Sequence, residues 1–145
     1  MVNRIIVGAP RANSTLPEQV RINEPGVIYK CTIQNGQCNP FNFDNSGNKP
    51  IDDNDYTIKS QYKDSQWLGG SIDGGPKDTD RLIVCAPRLL AMIVELELIF
   101  MHGICYWTPN TTDNQPLSIN QINPLILSSK FLCDKTSIDI FVNLI

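Results

Sequence analysis

RIIVGAPR (Arg4–Arg11) and RLIVCAPR (Arg81–Arg88) are nearly the same octet, 77 positions apart in a chain of 145 residues. In each, a short β-branched and aliphatic run argues for a strand. Ala-Pro-Arg then ends it, because proline has no N–H to give to a ladder. The same shift of 77 places Gly26 on Gly103, Val27 on Ile104 and Tyr29 on Tyr106, so PGVIYKC and HGICYWT correspond as well. Two matched segments at one common offset signal an internal repeat.

Each unit is expected to hold two strands. Ile5–Val7 precedes Gly26–Cys31 in the first, and Leu82–Val84 precedes Gly103–Trp107 in the second; the later strand of each opens on glycine and carries Tyr with Val or Ile. Upstream of the second unit, QWLGGSIDGG (Gln66–Gly75) predicts a further strand at Trp67–Leu68 before a glycine-rich turn. A position 77 residues earlier falls before Met1, so the chain is expected to open in mid-unit.

Composition agrees with a turn-rich, all-β chain: ten prolines and nine glycines accompany many Asn, Ser and Thr. A net charge of −3 with no Lys/Arg cluster argues against nucleic acid as a partner. Five cysteines and the sequons at Asn13 (with Thr15) and Asn110 (with Thr112) suit an extracellular chain, with one thiol left over from any two bridges. The apolar run of MVNRIIVGAP is too short for a signal peptide, so a secreted product is expected to lack its leader here. Leu89–Met101 contains two glutamates and falls well short of the ~20 residues of a bilayer span, so no transmembrane segment is expected.

The motifs in order are Val-Gly-Ala-Pro-Arg, a glycosylatable Asn, Pro-Gly-x-x-Tyr, a Cys pair, Gln-Trp-Leu-Gly, Val-Cys-Ala-Pro-Arg and His-Gly-x-Cys-Tyr-Trp. This series, over about Arg4–Trp107, resembles the FG-GAP repeats of integrin α subunits, specifically the first two blades of their β-propeller. Trp67-Leu68-Gly69 stands where the family has Phe-Gly. The resemblance implies a partial propeller of about two four-stranded antiparallel blades, the first incomplete, with an irregular C-terminal tail. It marks Gly8, Pro10, Arg11, Gly26, Tyr29, Trp67, Gly69, Pro87, Arg88, Gly103 and Tyr106 as structural positions of the repeat. It implies disulfides Cys31–Cys38 and Cys85–Cys105, while the sequons themselves mark Asn13 and Asn110 for glycosylation. It also implies a cell-adhesion receptor at the cell surface, pairing with an integrin β subunit and binding extracellular-matrix or cell-surface proteins. Calcium is expected in later blades and no cofactor in this segment. A propeller blade leans on its neighbours, so two of them are not expected to be stable alone.

Local geometry complicates the first of those disulfides. Asn35-Gly36 is the strongest two-residue hairpin signal, and a regular hairpin there puts Cys38 opposite Ile33, with Cys31 diagonal at ~7–8 Å. That exceeds the usual Cα separation of roughly 4.4–6.8 Å, so a bridge requires an irregular loop. For Cys85 and Cys105 the alternatives are a bridge between neighbouring strands and two reduced, buried thiols. Cys133 has no partner that can be named.

In DNSGNKPID, Asp44, Ser46, Asn48 and Asp52 occupy relative positions 1, 3, 5 and 9, an alternation of oxygens that can wrap a cation. Ser and Asn where carboxylates are wanted, Lys49 in place of a turn glycine, and Pro50 favour a solvated turn instead. Asp52, Asp53, Asp55, Asp73, Asp78 and Asp80 read as solvated surface. Arg11 and Arg88 are expected to bond turn carbonyls or a carboxylate, or to touch a partner; Trp67 is expected in the core, and Trp107 is open between core and binding platform.

Catalysis is not expected. His102 is the only histidine, which excludes a multi-His metal site, and it reads as a strand-end residue. Around Ser71 the nucleophile-elbow pattern fails because Asp73 stands where the second glycine belongs. Glycines 69, 70, 74 and 75 are followed by no Gly-Lys-Ser/Thr. The alternative to the adhesion reading is a small secreted, disulfide-stapled binding module.

Three segments follow: an incomplete first blade with a disulfide loop (1–59), a second blade (60–124) and a tail outside the family pattern (125–145). Within the second, Leu89–Met101 is apolar where the first unit is polar, which suits an amphipathic helix or an extended β-hairpin. That insert and the tail suggest a truncated or misassembled reading frame.

Overall fold

The computed structural model describes residues 4–48, 60–93 and 98–122. In chain order the strands are β1 (Arg4–Ala9), β2 (Val27–Thr32), β3 (Cys38–Pro40), β4 (Ser60–Tyr62) and β5 (Ser71–Gly74). They continue with β6 (Leu82–Ala86), β7 (Leu90–Ile93), β8 (Leu98–Met101), β9 (Ile104–Thr108) and β10 (Asn120–Ile122). Among the described residues there is no α-helix, only a 3-10 turn at Pro17–Gln19. The chain is all-β, in three antiparallel sheets ordered β1-β2-β3, β10-β9-β6-β5 and β4-β7-β8.

The repeat of 77 is a repeat of hydrogen-bond register. Val7 lies opposite Tyr29 and Gly8 opposite Ile28; in the second unit Val84 lies opposite Tyr106 and Cys85 opposite Cys105. Both octets end in the same turn. Ala12 N donates to Ala9 O (3.0 Å) and Leu89 N to Ala86 O (3.4 Å). The returning strands are then caught alike: Gly26 N donates to Ala12 O, and Gly103 N to Leu89 O, at 3.1 Å each. Gly26 (φ 85°) and Gly103 (φ 64°) sit just before their strands in left-handed backbone, which explains glycine at both places.

One apolar cluster joins the units. Ile28, Phe41 and Phe43 from the first pack with Leu82, Val84, Ala86, Ile104 and Tyr106 from the second, Leu68 and Leu89 completing it. Gly8 explains the one internal difference between the octets. Its Cα lies so close to the Gly69 carbonyl and to Ile72 that a Cβ would collide with both, whereas Cys85 has room for its side chain. The two units are unequal in what covers them. Val84 is wholly buried and Leu82 nearly so, while their counterparts Val7 and Ile5 are 40% and 52% exposed.

One expected strand is absent, and two open questions are resolved. Trp67–Leu68 is not a strand; positive φ at Trp67 (61°) and Gly69 (88°) curls that stretch, and extended backbone begins only at Ser71. The Cys31–Cys38 hairpin has a four-residue loop, closed by Thr32 N to Gln37 O (2.8 Å) and Gly36 N to Thr32 O (2.9 Å). That loop brings Cys31 directly opposite Cys38. Of the two forms open to Leu89–Met101, the structure takes the hairpin, β7–β8, which pairs with β4 in a third sheet that sequence reasoning missed. Asp52, Asp53, Asp55, Glu95, Glu97, Cys133 and the segment 125–145 lie outside the described residues.

Candidate docking rim

The ends of the two octets lie beside Trp67. Leu68 N donates to Pro25 O and Gly69 N to Cys85 O, both at 3.0 Å, so the Trp67 loop is fastened to both units. Arg88 N donates to Gln66 O (3.1 Å), and its guanidinium carbon stands 4.3 Å from the centre of the Trp67 ring. Arg11 reaches Glu24 through Nε (3.2 Å) and Nη2 (2.8 Å). The Arg11 hydrogen bond foremost holds the Glu24 carboxyl below its usual range, with Trp67 and the charge of Arg88 adding to it against a smaller opposing effect of burial. Trp67 is half-buried rather than a core residue, and it is presented between a cation and a carboxylate.

The bridges lie within units. Cys31 and Cys38 are joined with Cα atoms 3.9 Å apart, and Cys85 and Cys105 with Cα atoms 4.0 Å apart. In the first pair the neighbouring Thr32/Gln37 position is hydrogen-bonded, so 31/38 is the close, non-hydrogen-bonded position that a cross-strand bridge needs. Asn13 is exposed and Asn110 half-exposed; Asn110 Oδ1 accepts from Thr112 Oγ1 at 2.9 Å. Arg81 covers the half-buried Trp107 ring at 4.8 Å. His102 is buried, its ring edge-on to Phe100 at 6.0 Å, and its backbone N–H donates to Leu89 O (2.8 Å). Asp73 is exposed, while Asp78 and Asp80 are half-buried.

A second polar cluster is buried where sequence reasoning expected only a solvated turn. The Lys63 side chain has no exposure and that of Asp44 only 12%. Lys63 Nζ donates to Asp44 Oδ2 (2.6 Å), Ser46 O (2.7 Å) and Ser46 Oγ (2.7 Å), and Tyr106 OH donates to Asp44 Oδ2 (2.7 Å). Gln19 Nε2 holds the loop from outside through Asp44 O (2.8 Å) and Ser46 O (3.0 Å). Burial pushes the Asp44 carboxyl up, but the bonds from Lys63, Tyr106 and Ser46 outweigh it and hold the group below its usual range. Burial and the Asp44 charge push the Tyr106 phenol far up, so it stays a donor. The alternation Asp44-x-Ser46-x-Asn48 was visible in the sequence; its partner, 17 residues beyond Ser46, carried no signal.

Trp67, Arg88, Arg11 and Glu24 thus stand together on loops fastened to both units. Among the described residues no group of three or more His, Cys, Asp or Glu is placed to hold a metal, and no helix is long and apolar enough to cross a membrane.

No family model matches the chain. It is 51% identical to integrin alpha-PS3 of Drosophila melanogaster over 126 residues, which is 87% of this chain and 11% of that protein. Integrin alpha-PS5 of the same organism is 44% identical over 115 residues, 79% of this chain and 10% of the relative. Integrin alpha pat-2 of Caenorhabditis elegans is 29% identical over 111 residues, 76% and 9% respectively. The chain thus spans about a tenth of the length of these curated relatives.

Proposed function

This chain belongs to the integrin α-subunit family, and on that premise we propose that it serves as two adjoining propeller units of a cell-adhesion receptor, pairing with a β subunit through the Trp67 rim. The observation that carries this reading is Trp67 itself. A large aromatic is held half-exposed in left-handed backbone, with Arg88 stacked on it and Glu24 beside it. Aromatic and arginine side chains at the centre of a fastened patch are what protein interfaces use as anchors.

The unequal covering of the units supports a place in a longer array. The face of β6 that the first unit buries is, in β1, a row of open aliphatic side chains suited to a further unit. The reading is non-catalytic and places the chain at the cell surface, with glycans at Asn13 and Asn110 and with matrix or cell-surface proteins as ligands of the complete receptor. Divalent cations belong, on this reading, to other repeats.

Co-expression with an integrin β-subunit ectodomain tests it. The chain is expected to co-purify with the β subunit, and Trp67→Ala or Arg88→Ala to weaken capture by tenfold or more without altering the disulfide pattern. Equal capture of wild type and both variants would overturn the assignment of the rim.

A further inference from the structure

The oxygens of Asp44, Ser46 and Asn48, spaced as in a cation loop, do converge. They converge on Lys63. Its ammonium takes Asp44 Oδ2, Ser46 O and Ser46 Oγ at 2.6–2.7 Å, and its backbone N–H donates to Asn48 Oδ1 at 2.8 Å. Within the loop, Ser46 N and Oγ both donate to Asp44 Oδ1 (2.9 and 2.7 Å), which turns the other carboxylate oxygen toward the lysine. From outside, Gln19 and Tyr106 brace the same residues.

From this convergence we propose that Asp44–Asn48 is a cation-binding loop whose cation the chain supplies itself, the Lys63 ammonium, and that without it the loop takes a small primary ammonium ion. The chemistry of the cradle selects that class. Calcium wants roughly six to eight oxygens at about 2.3–2.6 Å, with several carboxylates among them. Among the described residues three oxygens, one of them from a carboxylate, face the single positive charge at hydrogen-bonding distance. A monovalent cation with N–H donors satisfies the charge and the geometry together. Burial makes the occupant necessary, since an unpaired carboxylate in this position is strongly disfavoured.

The test uses the full chain carrying Lys63→Ala, which deletes the atoms of n-propylammonium. Its thermal midpoint is followed while n-propylammonium, ammonium, tetramethylammonium or calcium chloride is added at constant ionic strength. A saturable rise is expected with n-propylammonium and a smaller one with ammonium. Tetramethylammonium, which has no N–H, should give none, and the wild type should ignore all four. Adding Asp44→Asn should abolish the response. If Lys63→Ala is unfolded at the outset, the same titration reads refolding. The proposal is overturned if n-propylammonium has no effect, if tetramethylammonium matches it, or if calcium alone restores the fold.

Discussion

Cys85 lies directly opposite Cys105, with Cα atoms 4.0 Å apart, at the register position that Gly8 and Ile28 hold in the first unit. One frame thus carries a covalent staple in one copy and a close backbone approach in the other. Removing the staple with Cys85→Ser plus Cys105→Ser frees a loop of 20 residues and should cost about 3 kcal/mol. Urea unfolding of oxidised wild type against the double variant measures it; equal midpoints would refute the staple's role.

Gly26 and Gly103 share left-handed backbone but differ in surroundings. At Gly103 an added Cβ meets nothing nearer than 3.4 Å, so Gly103→Ala should cost only the backbone strain, about 1–2 kcal/mol. At Gly26 the Cβ would also strike the backbone of Leu68, so Gly26→Ala should cost distinctly more and displace the Trp67 loop. Comparing the two variants by thermal unfolding checks the order, and Trp67 fluorescence reports the displacement.

Asp44 links the units through Tyr106, so breaking its pair is expected to be severe. Asp44→Asn removes the carboxylate that meets the buried Lys63 ammonium at 2.6 Å and should cost about 3–5 kcal/mol, while Asp44→Asn with Lys63→Met should regain part of that. The pH dependence has a definite sign. A carboxyl held below its ordinary value contributes stability that is complete above the unfolded-state pKa of about 3.9 and is lost as pH falls through the lower folded-state value. Acid unfolding of the wild type should therefore be steeper below about pH 4 than that of the double variant.

Among the described residues, strand β8 is an unpaired, uncharged edge of its sheet. Leu98, Ile99 and Met101 are all at least half exposed, and the strand has neither lysine nor proline to protect it. The chain should self-associate at rising concentration, and Ile99→Lys should suppress this. Light scattering across a concentration series checks it.

How much of this was legible beforehand depends on range along the chain. The octets, the Gly-x-x-Tyr strands and their common offset were readable because strand and turn signals are local and a repeat doubles them. The glycines marked the left-handed positions for the same reason. Trp67–Leu68 misled, since apolar residues beside glycines look alike whether the backbone is extended or curled. The Asn35-Gly36 signal named a two-residue turn, but bringing Cys31 level with Cys38 required four residues. The third sheet depended on β4 meeting β7 across about thirty residues, and polar Ser60–Tyr62 carries no apolar alternation to announce it. Lys63 was invisible for a sharper reason. Nothing in a lone lysine says that its ammonium will be buried among the oxygens of a distant loop.

The central claim is that the chain is two units of one build, each stapled within itself. Proteolysis of the non-reduced chain followed by mass spectrometry tests it most directly. The account predicts one peptide pair linking Cys31 to Cys38 and another linking Cys85 to Cys105. A link between units, such as Cys31 to Cys85 or Cys38 to Cys105, would contradict it.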